Sequence, residues 1–174
     1  VCYGDSIAAQ GWPEYLQLHR MGMHGIVRRA VSGARVLRQY DCMMYESYGI
    51  KSKTRFEVEK KAQGADVMII HQGINDLIHP VGTDVNEFSP MSDLPTAEEL
   101  EAGLQYLADE AKKEGYKVYI GTLTPVKGWR TYAPFRNELR EEVNEWIRSN
   151  PHIDGVLDFD ELLRDPDDPL RLLP

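Results

Sequence analysis

Apolar residues recur along this chain in two rhythms. Short aliphatic runs predict strands at Val1 to Tyr3, from Gly25-Ile26-Val27 closing at Val31-Ser32-Gly33, and at Ala65 to Gln72, Lys117 to Leu123 and Gly155 to Phe159. Helical spacing fills the intervals. It runs from Ile7 to Arg20 with interruptions at Gly11 and Pro13, from Lys51 to Gln63 with a stop at Gly64, and from Pro134 to Ser149. The strongest helix signal starts at Thr96, which forms a capping box with Glu99. Ala97, Leu100, Leu104, Leu107, Ala108 and Ala111 then recur on one face until Gly115. The unbroken centre Val67-Met68-Ile69-Ile70 fits a strand covered on both faces. The stretch Pro80 to Pro95, with three prolines, is the one long irregular connection and a candidate pocket rim. Strand and helix alternate throughout, which predicts parallel strands joined by crossover helices. The expectation is one three-layer α/β domain over residues 1–174, without repeats, low-complexity tracts or linkers.

Composition narrows the function classes. With 174 residues, 42% hydrophobic and 28% charged, the chain can bury roughly 70% of its unfolded surface without disulfide or metal staples. Its net charge is −8 and Lys and Arg are not clustered, which argues against nucleic acid or an anionic membrane as partner. Cys2 and Cys42 have neither metal-site nor redox spacing. The longest aliphatic run is far below the ~18 residues of a membrane span. Val1 leads straight into a strand, so the sequence is expected to be truncated there, and it carries no signal for compartment or oligomeric state.

In an open parallel sheet, ligands bind beyond the carboxyl ends of the strands. Gly4-Asp5-Ser6 follows the first strand, Ser32-Gly33 the second and Gly73-Ile74-Asn75-Asp76 the third. Each motif alone is weak, but their joint occurrence at successive strand ends is roughly a one-in-a-thousand accident. Ser6 follows a turn and opens a helix, a position that suits a nucleophile. Gly33 lets a ligand approach the backbone closely.

With these motifs the chain resembles the SGNH hydrolases, the GDSL esterases and lipases. The likeness extends to Gly121-Thr122-Leu123-Thr124-Pro125, Val143 to Arg148 and Asp158 to Pro166, which look like a bacterial branch. The resemblance implies a flavodoxin-like fold with a five-stranded parallel sheet. It also implies hydrolysis of an acyl or acetyl ester of a carbohydrate, lipid or small alcohol through an acyl-Ser6 intermediate. The oxyanion donors it assigns are the Ser6 and Gly33 backbone N–H groups and the Asn75 side-chain amide. A small-molecule ester is the implied partner, and no metal or organic cofactor is implied.

One family feature is missing. Members carry a C-terminal Asp-x-x-His motif that supplies the general base and its carboxylate, and this sequence stops at Leu172-Leu173-Pro174 without one. Asp165, Asp167 and Asp168 lie just before the end but lack an imidazole partner, and they read as a solvated turn. The expectation is therefore a fragment whose base lies outside it, with at most residual activity on its own. His71 and His79 flank the Asn75 motif as surrogate bases, whereas His19, His24 and His152 lie away from it. With Ile74 and Trp129, His71 and His79 are also candidate pocket residues; Trp146 falls at core spacing with Leu139 and Val143. An acyltransferase using the same acyl-enzyme, or a silent binding module lacking its base, are the alternatives.

Overall fold

The run Met68-Ile69-Ile70 lies at the centre of a five-stranded, all-parallel sheet in a computed structural model that describes residues 1–21 and 23–174. The strands are β1 (Cys2–Gly4), β2 (Arg28–Ala30), β3 (Val67–His71), β4 (Lys117–Gly121) and β5 (Gly155–Leu157), in the order β2-β1-β3-β4-β5. β1 pairs with β3 from Cys2 opposite Ile69 to Gly4 opposite His71, and β3 pairs with β4 from Val67 opposite Lys117. The strand order reverses at β1 and β3, and such a switch point opens a crevice at the carboxyl edge.

Side-chain alternation assigns the two faces. Tyr3, Met68, Ile70, Val118 and Ile120 belong to the buried core with Phe56 of α3 (Ser52–Glu59), Leu100, Leu104 and Leu107 of α5 (Ala97–Lys113), and Val143 and Ile147 of α6 (Pro134–Ser149). Each of those leucines contributes about 1.5–3 kcal/mol by leaving water. The Thr96 hydroxyl and the Glu99 carboxylate close the capping box that starts α5. The opposite face carries α1 (Ser6–Ala9) and α2 (Trp12–His19), with Trp12 and Phe159 packed over His71. On this face Ile69, Tyr119 and Leu157 are half-buried. Among the described residues, no helix is long and apolar enough to cross a membrane.

Several boundaries differ from the sequence pattern. The stretch from Ile7 to Arg20 is two helices, broken where Gly11 takes a φ of 101° and Pro13 starts α2. β2 lies at Arg28–Ala30, three residues later than the aliphatic signal at Gly25. It is an edge strand, so polar residues fit it: Arg28 pairs with Glu14, and the Arg29 guanidinium donates to the Glu59 and Lys61 carbonyls. α3 ends at Glu59, short of Gln63. A 3-10 turn at Met43–Tyr48 and two five-residue helices, α4 (Ile74–Ile78) and α7 (Phe159–Leu163), carry too little periodicity to predict.

Candidate active site

Three connections meet at the carboxyl edge beside the switch point. The one after β1 turns at Asp5, whose carboxylate N-caps α1 by accepting from Ile7 N–H at 3.0 Å. Ser6 is therefore the first residue of α1, where a backbone N–H has no intrahelical acceptor. The connection after β2 is tied to β1 by a bond from Val31 N–H to the Gly4 carbonyl at 3.1 Å, and turns at Gly33 with φ 80°. Neither the Ser6 nor the Gly33 N–H has a protein acceptor among the described residues. The connection after β3 turns at Gly73, φ 124°, and begins α4.

The Asn-Asp pair of α4 clamps the Gly33 loop. Asn75 Nδ2 donates to the Ala34 carbonyl at 3.0 Å, which leaves its second hydrogen without a protein acceptor among the described residues. The Asp76 carboxylate accepts from Val36 N–H at 2.8 Å and Leu37 N–H at 3.0 Å. Arg136 of α6 donates to the Leu77 and Pro80 carbonyls and so holds the other end of α4. Serine, glycine and asparagine thus stand on adjoining loops held by long-range hydrogen bonds.

The whole sequence from residue 2 to residue 173 matches the profile of the GDSL-like Lipase/Acylhydrolase family. The chain belongs to that family. Among solved structures it is similar to a G-D-S-L-family protein from Desulfitobacterium hafniense DCB-2, with a TM-score of 0.65 and 18% identity over 99% of this chain and 82% of the other. The native aryl esterase of M. smegmatis aligns with a TM-score of 0.63 and 13% identity, over 99% and 89%. Est24, a carbohydrate acetylesterase from Sinorhizobium meliloti, gives 0.60 and 15% over 88% and 80%. No curated protein matches the chain in sequence. Family membership makes this a GDSL/SGNH esterase fold, a flavodoxin-like α/β sheet whose chemistry is ester hydrolysis.

The remaining candidates take distinct places in this GDSL frame. His71 is 3% exposed, its ring stacked on Phe159 at 4.5 Å, and burial lowers its imidazole to about 4. Burial also lowers His79 to about 4, helped by the charges of Arg35 and Arg130. The His79 ring borders the Gly33 loop through Tyr48, at 5.6 Å, and its Nδ1 is buried without a partner among the described residues. Both rings are therefore neutral at pH 7. Ile74 is buried in the core at 6% exposure. Trp129 is 51% exposed on the loop after β4, which Thr131 fastens to the Ile78 carbonyl. The Ser6 hydroxyl has no hydrogen bond to another described residue. Sequence reasoning passed over Tyr48, which packs on Gly33, and Tyr40 and Tyr45, which pack against Tyr48. The available signal was their density, three tyrosines within nine residues.

Two buried carboxyls give the GDSL site a pH signature. Burial pushes Asp5 up from 3.8 to about 7, and the neighbouring Asp76 carboxylate adds to the rise. Burial likewise pushes Asp76 to about 6, against the Val36 and Leu37 N–H bonds. A raised carboxyl holds its proton in the folded state after the unfolded chain has lost it. Its stabilising contribution is thus present below pH ~4 and lost as pH rises toward ~7. His71 and His79, lowered in the fold, act in the opposite direction over the same interval, so the informative quantity is a difference between variants. Asp5→Asn keeps an N-cap while removing one ionising group. Its stability relative to wild type is expected to improve steadily from pH 4 to pH 7.5, by a few kcal/mol at most. Urea midpoints at four pH values test this, and a pH-independent difference would refute it.

Proposed function

We propose that the protein hydrolyses a carboxylic ester of a small alcohol, carbohydrate or lipid through an acyl-Ser6 intermediate. Ser6 Oγ attacks the carbonyl carbon and gives up its proton to a base, and the C=O electron pair becomes an oxyanion. That charge is met by the Ser6 and Gly33 N–H groups and by Asn75 Nδ2. Collapse expels the protonated alcohol, and water then releases the acid by the same path in reverse order. The observation that carries this reading is that, among the described residues, the Ser6 and Gly33 backbone N–H groups have no protein acceptor, while the Asn75 amide, bonded to the carbonyl of Ala34 next to Gly33, has one hydrogen to spare.

Covalent trapping tests it. A fluorophosphonate ester should add one phosphonyl group, recovered by mass spectrometry on the peptide containing Ser6 and absent from Ser6→Ala. Labelling at another residue would overturn the assignment, and no labelling of a protein that carries its base would favour the silent binding module. If none of the histidines here serves as base, p-nitrophenyl acetate is expected to turn over at no more than a residual rate. Full turnover would assign the proton to one of them, and His79 borders the Gly33 loop through Tyr48.

A further inference from the structure

The start of α3 is tied to all three connections that meet at the carboxyl edge. Ser52 N–H bonds to the Arg35 carbonyl at 2.9 Å and Lys53 N–H to the Val36 carbonyl at 3.3 Å, which joins α3 to the Gly33 loop. Ser52 Oγ accepts from Gln72, the residue that follows β3. Arg55 makes the third link, to β1. Its Nε donates to Tyr3 Oη at 3.0 Å and its Nη2 to the Gly4 carbonyl at 3.3 Å, with the guanidinium carbon 4.5 Å from the Tyr3 ring centre. The Gly4 carbonyl also accepts from Val31 N–H, so one acceptor joins the strand that ends at the Ser6 turn, the loop that presents Gly33, and Arg55.

Burying a charge here is not what packing alone would select. Arg55 is 6% exposed and its Nη1 has no hydrogen-bond partner among the described residues, while its ion-pair partner Glu59, 3.3 Å from Nε, is one-third exposed. An apolar side chain in such a place is often neutral or stabilising, so a buried guanidinium points to a task other than folding. The Asp5 carboxyl, one residue before Ser6, supplies that task. Its Oδ2 is likewise buried without a partner, and its charged neighbours are Asp76 of α4, which pushes it up, and Arg55 of α3, which draws it down. An ionised Asp5 adds negative charge next to the residue whose N–H meets the oxyanion, and the Arg55 charge offsets it.

We propose that Arg55 is a positioning residue for ester hydrolysis: it fixes the Gly4 carbonyl that joins the Ser6 turn to the Gly33 loop, and its guanidinium is the counter-charge of the Asp5 carboxyl. This rests on Ser6, Gly33 and Asn75 being the reacting site. Arg55 touches no reacting atom. It acts through the alignment of nucleophile and oxyanion donors, so its loss falls on kcat rather than on KM.

Two variants separate its hydrogen bonds from its charge. Arg55→Met keeps an apolar stem against Tyr3 and removes both, whereas Arg55→Lys keeps the charge and loses the planar fork. In a polypeptide that carries its general base, kcat for p-nitrophenyl acetate per folded molecule should fall about tenfold or more in Arg55→Met, with KM little changed, and Arg55→Lys should recover part of that loss. The Asp5 carboxyl carbon, followed by NMR from pH 4 to pH 9, should titrate above about 7 in Arg55→Met and stay near about 7 in Arg55→Lys. A purely structural arginine would lower the urea midpoint and move neither quantity, and that outcome overturns the proposal. So does either quantity alone keeping its wild-type value in Arg55→Met. Should Arg55→Met fail to fold, Arg55→Lys decides, and an unchanged kcat there overturns it. The serine assignment fails on a different result, undiminished ester turnover in Ser6→Ala. Loss of turnover in Ser6→Ala with a wild-type kcat in Arg55→Met leaves that assignment standing and removes only the role of Arg55.

Discussion

Ser6→Ala is expected to lower kcat by a factor on the order of 10⁴ or more in a polypeptide that carries its general base, with little change in unfolding midpoint. Ser6 is only partly buried and its hydroxyl bonds to no other described residue, so its removal disturbs no packing. Asn75→Ala should cost on the order of 10²–10³, the loss typical of one oxyanion donor. That loss should fall on kcat, because the donor meets a charge that exists only in the transition state. Asn75 also bonds to Ala34, but that bond is worth about 0.5–1.5 kcal/mol of stability, too little to explain a hundredfold rate effect through unfolding. Steady-state kinetics with p-nitrophenyl acetate, beside urea unfolding of each variant, separates the two. An Asn75→Ala enzyme with unchanged kcat would remove that residue from the oxyanion hole.

What could be read from the sequence follows the range of the forces involved. α5 was legible because its cap, Thr96 with Glu99, and its apolar face lie within one segment. β3 and β4 were legible because their centres, Met68-Ile69-Ile70 and Val118-Tyr119-Ile120, present apolar or aromatic side chains to both faces, one buried and the other half-buried. β2 was not, because an edge strand tolerates Arg28 and Arg29, and their partners Glu14 and Glu59 are brought near only by the fold. The site divides in the same way. Ser6 and Asn75 belong to local motifs, whereas the service of Asp76 to Val36 and Leu37 spans about 40 residues and leaves no periodic trace. Tyr45 and Tyr48 are three apart on a 3-10 segment and Tyr40 lies in its lead-in, a stretch too short to leave a periodic trace.

The largest stability effect is expected at Asp160, in a part of the chain whose charges give no hint of burial in the sequence. Its carboxylate is 3% exposed and accepts from Arg140 at 2.6 Å, Arg148 at 2.8 Å and Arg164 at 2.7 Å. The Arg140 side chain is itself only 2% exposed, so Asp160→Ala would leave a buried guanidinium with only the exposed Glu141 carboxylate, 3.7 Å away, as counter-charge. Breaking one side of such a pair costs about 3–5 kcal/mol, far more than the pair contributes over an apolar replacement. Arg164→Ala removes a partner that is 36% exposed and should cost under about 1 kcal/mol. Urea unfolding of the two variants should therefore differ several-fold in lost stability, and equal losses would refute the buried-hub account. The backbone holds the sheet edge independently of that carboxylate: Asp160 N–H donates to Thr122 Oγ1 at 2.8 Å at the start of α7, where Phe159 covers His71. Phe159→Ala removes that cover, so the His71 imidazole should titrate higher than about 4, and its ring protons followed by NMR would report the change.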